Sequence, residues 1–204
     1  MKKILIATTN KHKIVEIRDI LHAQGLLDLE LVGLPADYEA PEEDGSTFAE
    51  NATIKAKAAA IFSGLPSLAD DSGLTVEALL GAPGIYSARY AGEGQDDAAN
   101  RVKLLAALTE TPKEKRQAAF VCAVALAIPE ADGDLDLLLT EGACAGEIAF
   151  AETGSFGFGY DSLFYLPQHE CTIAELLPEI KNSISHRYHA MADMAELIKL
   201  KRNH

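Results

Sequence analysis

A nearly uninterrupted apolar run over residues 117–128 is the feature that most constrains the fold of this chain. A strand with one wet face alternates polar and apolar residues, whereas a strand covered on both faces is apolar throughout. The run therefore predicts a central strand of a sheet that lies between two layers. Residues 135–141 are expected to form a neighbouring strand, because residues 131–134 have the composition of a turn.

The first third of the chain has the order strand, helix, strand. Residues 3–8 are a short β-rich apolar run, and residues 13–22 carry Ile14, Ile17 and Leu21 at helical spacing. Residues 29–34 indicate the next strand. This alternation predicts an α/β fold.

Further helices are expected later in the chain. Thr47-x-x-Glu50 is a capping-box pattern that opens an alanine-rich helix ending near Phe62. Residues 96–108 form another helical segment, and Ser185 is a candidate N-cap for the last helix. With 204 residues and no long linker, we expect one domain over residues 1–204.

The charge balance excludes one class of partner. The chain has 18 Lys and Arg against 31 Asp and Glu, a net charge of −13. A protein that coats a nucleic-acid duplex needs clustered cations, so nucleic acid is not an expected partner. A small anionic ligand stays possible, because a few cations can converge in one cleft.

Cysteine usage and hydropathy predict a cytoplasmic protein. Cys122, Cys144 and Cys171 are odd in number and far apart, which predicts neither a disulfide framework nor a zinc site. The chain begins without the pattern of a signal peptide. No stretch approaches the ~18 apolar residues of a membrane span, so no membrane partner is expected.

Two acidic clusters are candidate metal ligands, Glu42-Glu43-Asp44 and Asp70-Asp71. We expect a strand over residues 65–69 to end at Asp70, and ligands in α/β proteins collect at the carboxyl ends of strands. Adjacent carboxylates repel each other and need a cation or a proton. Oxygen ligands favour Mg²⁺ or Mn²⁺. The alternative is a solvated turn, since Asp-Asp-Ser-Gly suits one.

Three other segments have the composition of a nucleotide site. The segment from Thr8 to Lys13 follows a strand and opens a helix, where backbone N–H groups and a lysine can bind phosphate, although N-capping by Thr9 or Asn10 is an alternative. Residues 154–161 alternate glycine with aromatic rings that can stack on a base or fill the core. His186-Arg187 places positive charge at a helix start, which indicates a ligand.

Together these residues resemble the inosine/xanthosine triphosphate pyrophosphatase family. The likeness runs through the whole chain, in order. Its motifs are Ile6-Ala7-Thr8-Thr9-Asn10 with Lys13, Thr47-Phe48-x-Glu50-Asn51-Ala52 with Lys55, Ala69-Asp70-Asp71-Ser72-Gly73-Leu74, Gly81-Ala82-Pro83-Gly84-Ile85-Tyr86-Ser87-Ala88-Arg89-Tyr90, Gly157-Phe158-Gly159-Tyr160-Asp161, and Lys181-Asn182-x-Ile184-Ser185-His186-Arg187.

The resemblance implies a mixed α/β fold with an elongated central sheet, two lobes around a nucleotide-binding cleft, and a homodimer. It implies Mg²⁺-dependent hydrolysis of ITP, dITP and XTP to the monophosphate and pyrophosphate, with Mn²⁺ as a possible substitute. Such an activity removes noncanonical purine nucleotides from the pool before they enter DNA and RNA.

The resemblance also assigns roles to individual residues. Asp71 matches the proton acceptor and a metal ligand, with Glu42 as the favoured second carboxylate and Glu43 in reserve. Thr9 stands where the family often has glycine, which bears on affinity for phosphate. The substrate-contacting positions are Thr8, Thr9, Asn10, Lys11, His12, Lys13, Lys55, Ser72, Phe158, Gly159, Tyr160, Asp161, Lys181, His186 and Arg187.

Two other functions stay open at this point. One is a pyrophosphatase of related fold that acts on modified pyrimidine or standard nucleotides. The other is a nucleotide-binding protein without turnover, which the intact Asp70-Asp71 pair and Lys55 disfavour.

Overall fold

The structure is a computed structural model that describes residues 1–94 and 96–202. Within those residues the strands are β1 (Lys3–Ile6), β2 (Glu30–Val32), β3 (Ser67–Val76), β4 (Gln117–Pro129), β5 (Leu135–Ile148), β6 (Phe164–Leu166) and β7 (Cys171–Thr172). The helices are α1 (Lys11–Ala23), α2 (Phe48–Ser63), α3 (Asp97–Ala107), α4 (Pro178–Ile184) and α5 (His186–Arg202).

The described strands form one sheet in the order β2-β1-β3-β4-β5-β6-β7. Strand β1 pairs in parallel with β2 and with β3, while β6 pairs antiparallel with β5 and with β7. The sheet is therefore mixed, and the predicted α/β class with its strand–helix–strand opening is confirmed.

The chain divides into two compact units. The first unit comprises Met1–Asp71, Cys122–Gly142 and Arg187–His204, and the second comprises Ser72–Val121 and Ala143–His186. The division falls inside β3, β4 and β5, so each of these strands begins in one unit and ends in the other. The predicted nucleotide cleft stays a prediction.

In the first unit, β4 separates two hydrophobic cores, as its apolar run predicts. Cys122, Val124 and Leu126 pack with α1 and α5, whereas the intervening alanines at 123, 125 and 127 pack with α2. Successive side chains of a strand point to opposite faces. The α2 face is lined mostly by alanine, including Ala52 and Ala56 of the helix itself.

The second unit has its own core. Leu104 and Leu108 of the α3 region pack with Leu74 of β3, Phe120 of β4 and Phe164 of β6. These side chains are all buried. This core supports the loop between β5 and β6, which carries the glycine and aromatic motif.

The prediction that a short strand ends at Asp70 is wrong. Strand β3 continues through Asp70-Asp71-Ser72-Gly73 to Val76, so the two aspartates lie inside a strand and not in a turn. The carboxylates of neighbouring strand residues point to opposite faces, which separates charges that the sequence suggested would repel. Strands β6 and β7 and helix α4 are elements that the sequence did not predict.

Among the described residues, no helix combines the length and the apolar character needed to cross a membrane.

Candidate active site

The turn between β1 and α1 is organised by Asn10. Its Oδ1 accepts hydrogen bonds from the N–H groups of His12 and Lys13 at 3.0 and 3.3 Å, which makes it the N-cap of α1. The Thr8 hydroxyl oxygen accepts the N–H of Asn10 at 3.2 Å. The capping alternative therefore holds for Asn10. Phosphate binding by this segment stays a prediction.

Asp70 is the buried anion on the face of β3 that carries α1 and α5. It is 2% exposed. Its Oδ2 accepts hydrogen bonds from Arg187 Nε and Nη2 at 3.2 and 3.1 Å, and the Lys13 ammonium lies 3.0 Å away. Arg187 Nη1 also pairs with Glu16 of α1. Four side chains of alternating charge thus lie in a row in the core of this unit: Lys13, Asp70, Arg187 and Glu16.

The pKa of Asp70 shows that this pairing outweighs burial. Burial disfavours a carboxylate, but Lys13 and Arg187 favour it more strongly, so the pKa of Asp70 lies below its usual value. Burial opposes the charge of Arg187 as well, and Asp70 overcomes this and raises its pKa. Both groups are charged at neutral pH.

Asp71 points to the opposite face of β3, where α2 packs. The Lys55 ammonium is 2.7 Å from its Oδ1 and also 3.2 Å from Glu43 Oε2. Asn51 Nδ2 lies 3.5 Å from Asp71 Oδ2. Burial raises the pKa of Asp71 above its usual value, although Lys55 acts in the other direction. The two neighbouring aspartates therefore have pKa values displaced in opposite directions.

The acidic loop before α2 is fastened to the start of that helix. Asn51 Oδ1 accepts the N–H of Gly45 at 2.9 Å, and the Glu50 carboxylate accepts both the N–H and the hydroxyl of Ser46 at 2.7 Å. Thr47 Oγ1 accepts the N–H of Glu50 at 3.1 Å, as the capping box predicts. The short hydrogen bonds of the Glu50 carboxylate are with Ser46, one residue before the N-cap.

This loop brings Glu43, and not Glu42, to Lys55. Glu43 is half-buried against the ammonium that it shares with Asp71, whereas Glu42 is exposed. The family resemblance favoured Glu42. The residues alone could not decide between the two, because residues 42–44 are all acidic and their orientation depends on the loop. The structure gives Glu43 the position beside Asp71.

The residues present fit a magnesium ion. In residues 1–94 and 96–202, no three or more His, Cys, Asp and Glu side chains gather as a metal site. Zinc sites usually take three or four protein ligands, whereas Mg²⁺ takes one or two carboxylates and keeps several waters. The carboxylates of Asp71 and Glu43, which share Lys55, meet that smaller requirement.

In the second unit, the glycine and aromatic loop is built around Asp161. Its Oδ2 accepts the N–H of Phe158 at 3.0 Å and the Lys181 ammonium at 2.9 Å. Asp161 and Lys181 are both buried, and Lys181 Nζ lies 4.6 Å from the centre of the Phe158 ring. Gly157 has a φ of +80°, and a Cβ there would lie 2.1 Å from Asp161 Oδ2. Only glycine fits this position.

The sequence left two roles open for the aromatic rings of this loop, which were to stack on a base or to fill the core. The ring of Tyr160 is buried, and its hydroxyl donates a hydrogen bond to the Ser87 carbonyl at 2.8 Å. Tyr160 thus fills the core. Phe156 is exposed and Phe158 is half-buried, so these rings are accessible.

Known proteins are similar to this chain over nearly its whole length. The model of the Ham1 family matches residues 4–197. The chain belongs to the Ham1 family. The dITP/XTP pyrophosphatase of Mannheimia succiniciproducens is 52% identical over 94% of this chain and 95% of that protein. The dITP/XTP pyrophosphatase of Haemophilus influenzae is 51% identical over 94% and 96%.

Solved Ham1-family structures agree in fold. The Ham1 protein of Staphylococcus aureus has a TM-score of 0.85 at 42% identity, covering 98% of this chain and 100% of that one. A HAM1 protein from Coxiella burnetii has the same TM-score and identity, with coverage of 98% and 99%. The family resemblance expected from the motifs is thereby confirmed.

The Ham1-family motifs fall into two groups of residues, one in each unit. The first unit holds the segment from Thr8 to Lys13, together with Lys55, Asp71 and Arg187, and the second holds Ser72, residues 158–161, Lys181 and His186. His186 is buried and stacks on Phe120 with ring centres 4.9 Å apart. Although His186 and Arg187 are adjacent in sequence, they belong to different clusters.

Several residues that shape this Ham1-family site were missed or left without a role. Glu16 pairs with Arg187, which is 171 residues away, and a single sequence carries no signal for such a contact. Asn51 lies in one of the family motifs, but the sequence indicates no function for it. Its signal is that a polar residue stands on the otherwise alanine-lined face of α2.

Proposed function

We propose that this protein hydrolyses noncanonical purine nucleoside triphosphates, ITP, dITP and XTP, to the nucleoside monophosphate and pyrophosphate. The observation that carries the proposal is the environment of Asp71. Its buried carboxylate has a raised pKa and shares the Lys55 ammonium with Glu43. Relatives about half identical over nearly the whole chain bear the name dITP/XTP pyrophosphatase.

Asp71 is the general base of the proposed reaction. A water molecule attacks the α-phosphorus, its proton passes to Asp71, and the bond to the leaving pyrophosphate breaks. A carboxylate whose pKa is raised toward the working pH is a stronger base than an ordinary aspartate. Lys55 holds this carboxylate and, with Lys13, provides positive charge for the phosphate oxygens, on which negative charge accumulates.

Asp71 and Glu43 are the residues that would hold Mg²⁺, and Mn²⁺ is expected to replace it. The bound ion would neutralise charge on the triphosphate and lower the pKa of bound water. Glu43 replaces Glu42 as the favoured second ligand, because it shares Lys55 with Asp71. The exposed Glu42 is then the alternative candidate for the second ligand.

We assign the base contacts to Phe158, to the backbone of residues 158–161, to Lys181 and to His186. A hydrogen-bond donor that faces O6 of a purine would accept hypoxanthine and xanthine, whereas the amino group of adenine would leave that donor unpaired. Arg187 is another substrate-contacting position that the family resemblance implies. Its guanidinium is engaged by Asp70 and Glu16, so we assign it first to holding Asp70.

The proposed substrate indicates where in the cell the reaction takes place. Nucleotides that would be incorporated into DNA and RNA are present where polymerases work, so we place the reaction in the cytoplasm. We also propose a homodimer, as the family resemblance implies, which analytical ultracentrifugation would test.

Pyrophosphate release from ITP, XTP, dITP, GTP, ATP and dTTP, measured with and without Mg²⁺, tests the function. We expect release from ITP, XTP and dITP in Mg²⁺, with ATP slower by about 100-fold, because a buried donor left unpaired costs up to about 3 kcal/mol. Release from GTP and dTTP should also be slower than release from ITP. Asp193→Asn is the matched control for a change at Asp71, because Asp193 is exposed on α5.

Each alternative function has its own outcome in this assay. Release from dTTP alone would replace the proposal with a pyrimidine pyrophosphatase. Binding of ITP by calorimetry without release from any substrate would replace it with a nucleotide-binding protein that has no turnover.

A further inference from the structure

We propose that Asp97 and Arg101 of α3 are positioning residues that hold the 157–161 loop in the conformation that discriminates the base. The inference rests on the proposed function, because it concerns the loop to which base contacts are assigned there. Asp97 Oδ2 accepts the N–H of Gly159 at 2.8 Å. Arg101 Nη1 donates to the carbonyl of the same glycine at 2.9 Å.

The two side chains act together because they lie one helical turn apart. Residues i and i+4 share a face of a helix, so Asp97 and Arg101 present an acceptor and a donor to one peptide segment. The capping of α3 is performed by Asp96, whose Oδ1 accepts the N–H groups of Ala98 and Ala99 at 2.8 and 3.1 Å. Asp97 is therefore not needed as the cap and bonds the loop instead.

Arg101 also ties α3 to the stem of the loop. Its Nε lies 2.8 Å from Glu152 Oε2, and the same carboxylate oxygen accepts the Ser162 hydroxyl at 2.9 Å. Glu152 precedes the loop and Ser162 follows it. One guanidinium thus contacts both Gly159 and a carboxylate that links the two sides of the stem.

The half-buried ring of Phe158 lies next to two anchors. On one side, Gly159 is held by α3; on the other, the N–H of Phe158 is held by Asp161, which pairs with Lys181. The Asp161 anchor belongs to the residues that the motifs already assign to substrate, whereas the α3 anchor does not. A loop fixed before the ligand arrives loses less conformational entropy on binding. Removing the α3 anchor should therefore weaken binding of the base, which raises KM, more than it slows hydrolysis, which sets kcat.

The test compares Asp97→Ala and Arg101→Ala with Asp97→Asn, which keeps an acceptor oxygen, and with Val102→Ala as a control on the exposed face of the same helix. For each alanine variant we expect KM for ITP to rise about tenfold, the effect of one lost hydrogen bond of ~1.4 kcal/mol. We expect kcat to change less than twofold and the preference for ITP over ATP to fall with KM. Asp97→Asn should recover most of the loss.

Amide hydrogen exchange gives a readout that does not depend on activity. The Gly159 amide should exchange at least about tenfold faster in Asp97→Ala than in the wild type or Val102→Ala. An unchanged exchange rate, an unchanged KM for ITP, or an equal loss for ITP and ATP would each overturn the inference. A wild-type protein that releases no pyrophosphate from ITP would instead overturn the proposed function, and the exchange experiment would still decide whether α3 holds the loop.

Discussion

At the scale of single residues, the neighbouring aspartates Asp70 and Asp71 have opposite environments. Asp70 pairs with both Lys13 and Arg187 through Oδ2, so it stays ionised and holds these partners in place. Asp71 is buried with a raised pKa, which suits a group that takes up a proton. The alternation of one strand gives these two carboxylates different neighbours and therefore different chemistry.

Asp71→Asn tests the role of the proton acceptor. The amide cannot accept the proton but has nearly the same shape, so kcat for ITP should fall by about 100- to 10,000-fold while the fold is kept. Pyrophosphate release measures the loss, and circular dichroism checks the fold. Activity within threefold of the Asp193→Asn control would remove Asp71 from this role.

Gly157→Ala tests whether Asp161 and Lys181 need the close approach of the loop backbone. The new Cβ would collide with Asp161 Oδ2, so we expect KM for ITP to rise about tenfold, or ~1.4 kcal/mol of binding energy. Gly133→Ala is the matched control, because Gly133 also has a positive φ, +92°, but has open space around it. The conclusion fails if both variants show the same KM.

At the scale of secondary structure, elements with a strong local sequence pattern could be predicted and elements defined by their neighbours could not. Strand β4 and helix α2 follow from the run at 117–128 and from the alanine-rich segment with its capping residues. Strand β3 was predicted to stop at Asp70, because charged residues usually end a buried strand and their buried partners are far away in sequence. Strands β6 and β7 are too short to show a period.

The end of α3 depends on one buried arginine. Arg116 donates hydrogen bonds to the carbonyls of Leu108, Thr111 and Ala149 at 2.7, 3.0 and 3.2 Å, and lies 4.0 Å from the centre of the Phe150 ring. It thereby joins the C-terminal end of α3 to the end of β5.

Arg116→Met should lower the free energy of unfolding by at least about 3 kcal/mol, because three carbonyls each lose a buried donor at about 1–3 kcal/mol. The neighbouring exposed Lys115→Met should change it by less than about 0.5 kcal/mol. Urea denaturation followed by circular dichroism measures both. Equal values for the two variants would show that the arginine is dispensable.

For the whole molecule, the net charge of −13 matters less than where the cations lie. Lys13, Lys55, Lys181 and Arg187 each contact a carboxylate in their own unit. The motifs predicted that these cations are functional. Which acid each one meets could not be predicted, because pairs such as Arg187 with Asp70 are 117 residues apart in the chain.

Chelation of metal should separate activity from stability. Because Lys55 already offsets the repulsion between Asp71 and Glu43, EDTA is expected to abolish pyrophosphate release while Tm moves by less than about 2 °C. Added Mg²⁺ should restore activity. A fall in Tm of more than about 5 °C on chelation would show that the ion also holds the fold.

The position of β4 between two unlike cores has a consequence for insertions and deletions. One added residue early in the strand would turn its large side chains toward α2 and its alanines toward α1 and α5, leaving one core overfilled and the other hollow. The turn at 130–134 has no such constraint, because its side chains are mostly exposed. Changes in chain length between Ham1-family members are therefore expected in that turn and not within β4.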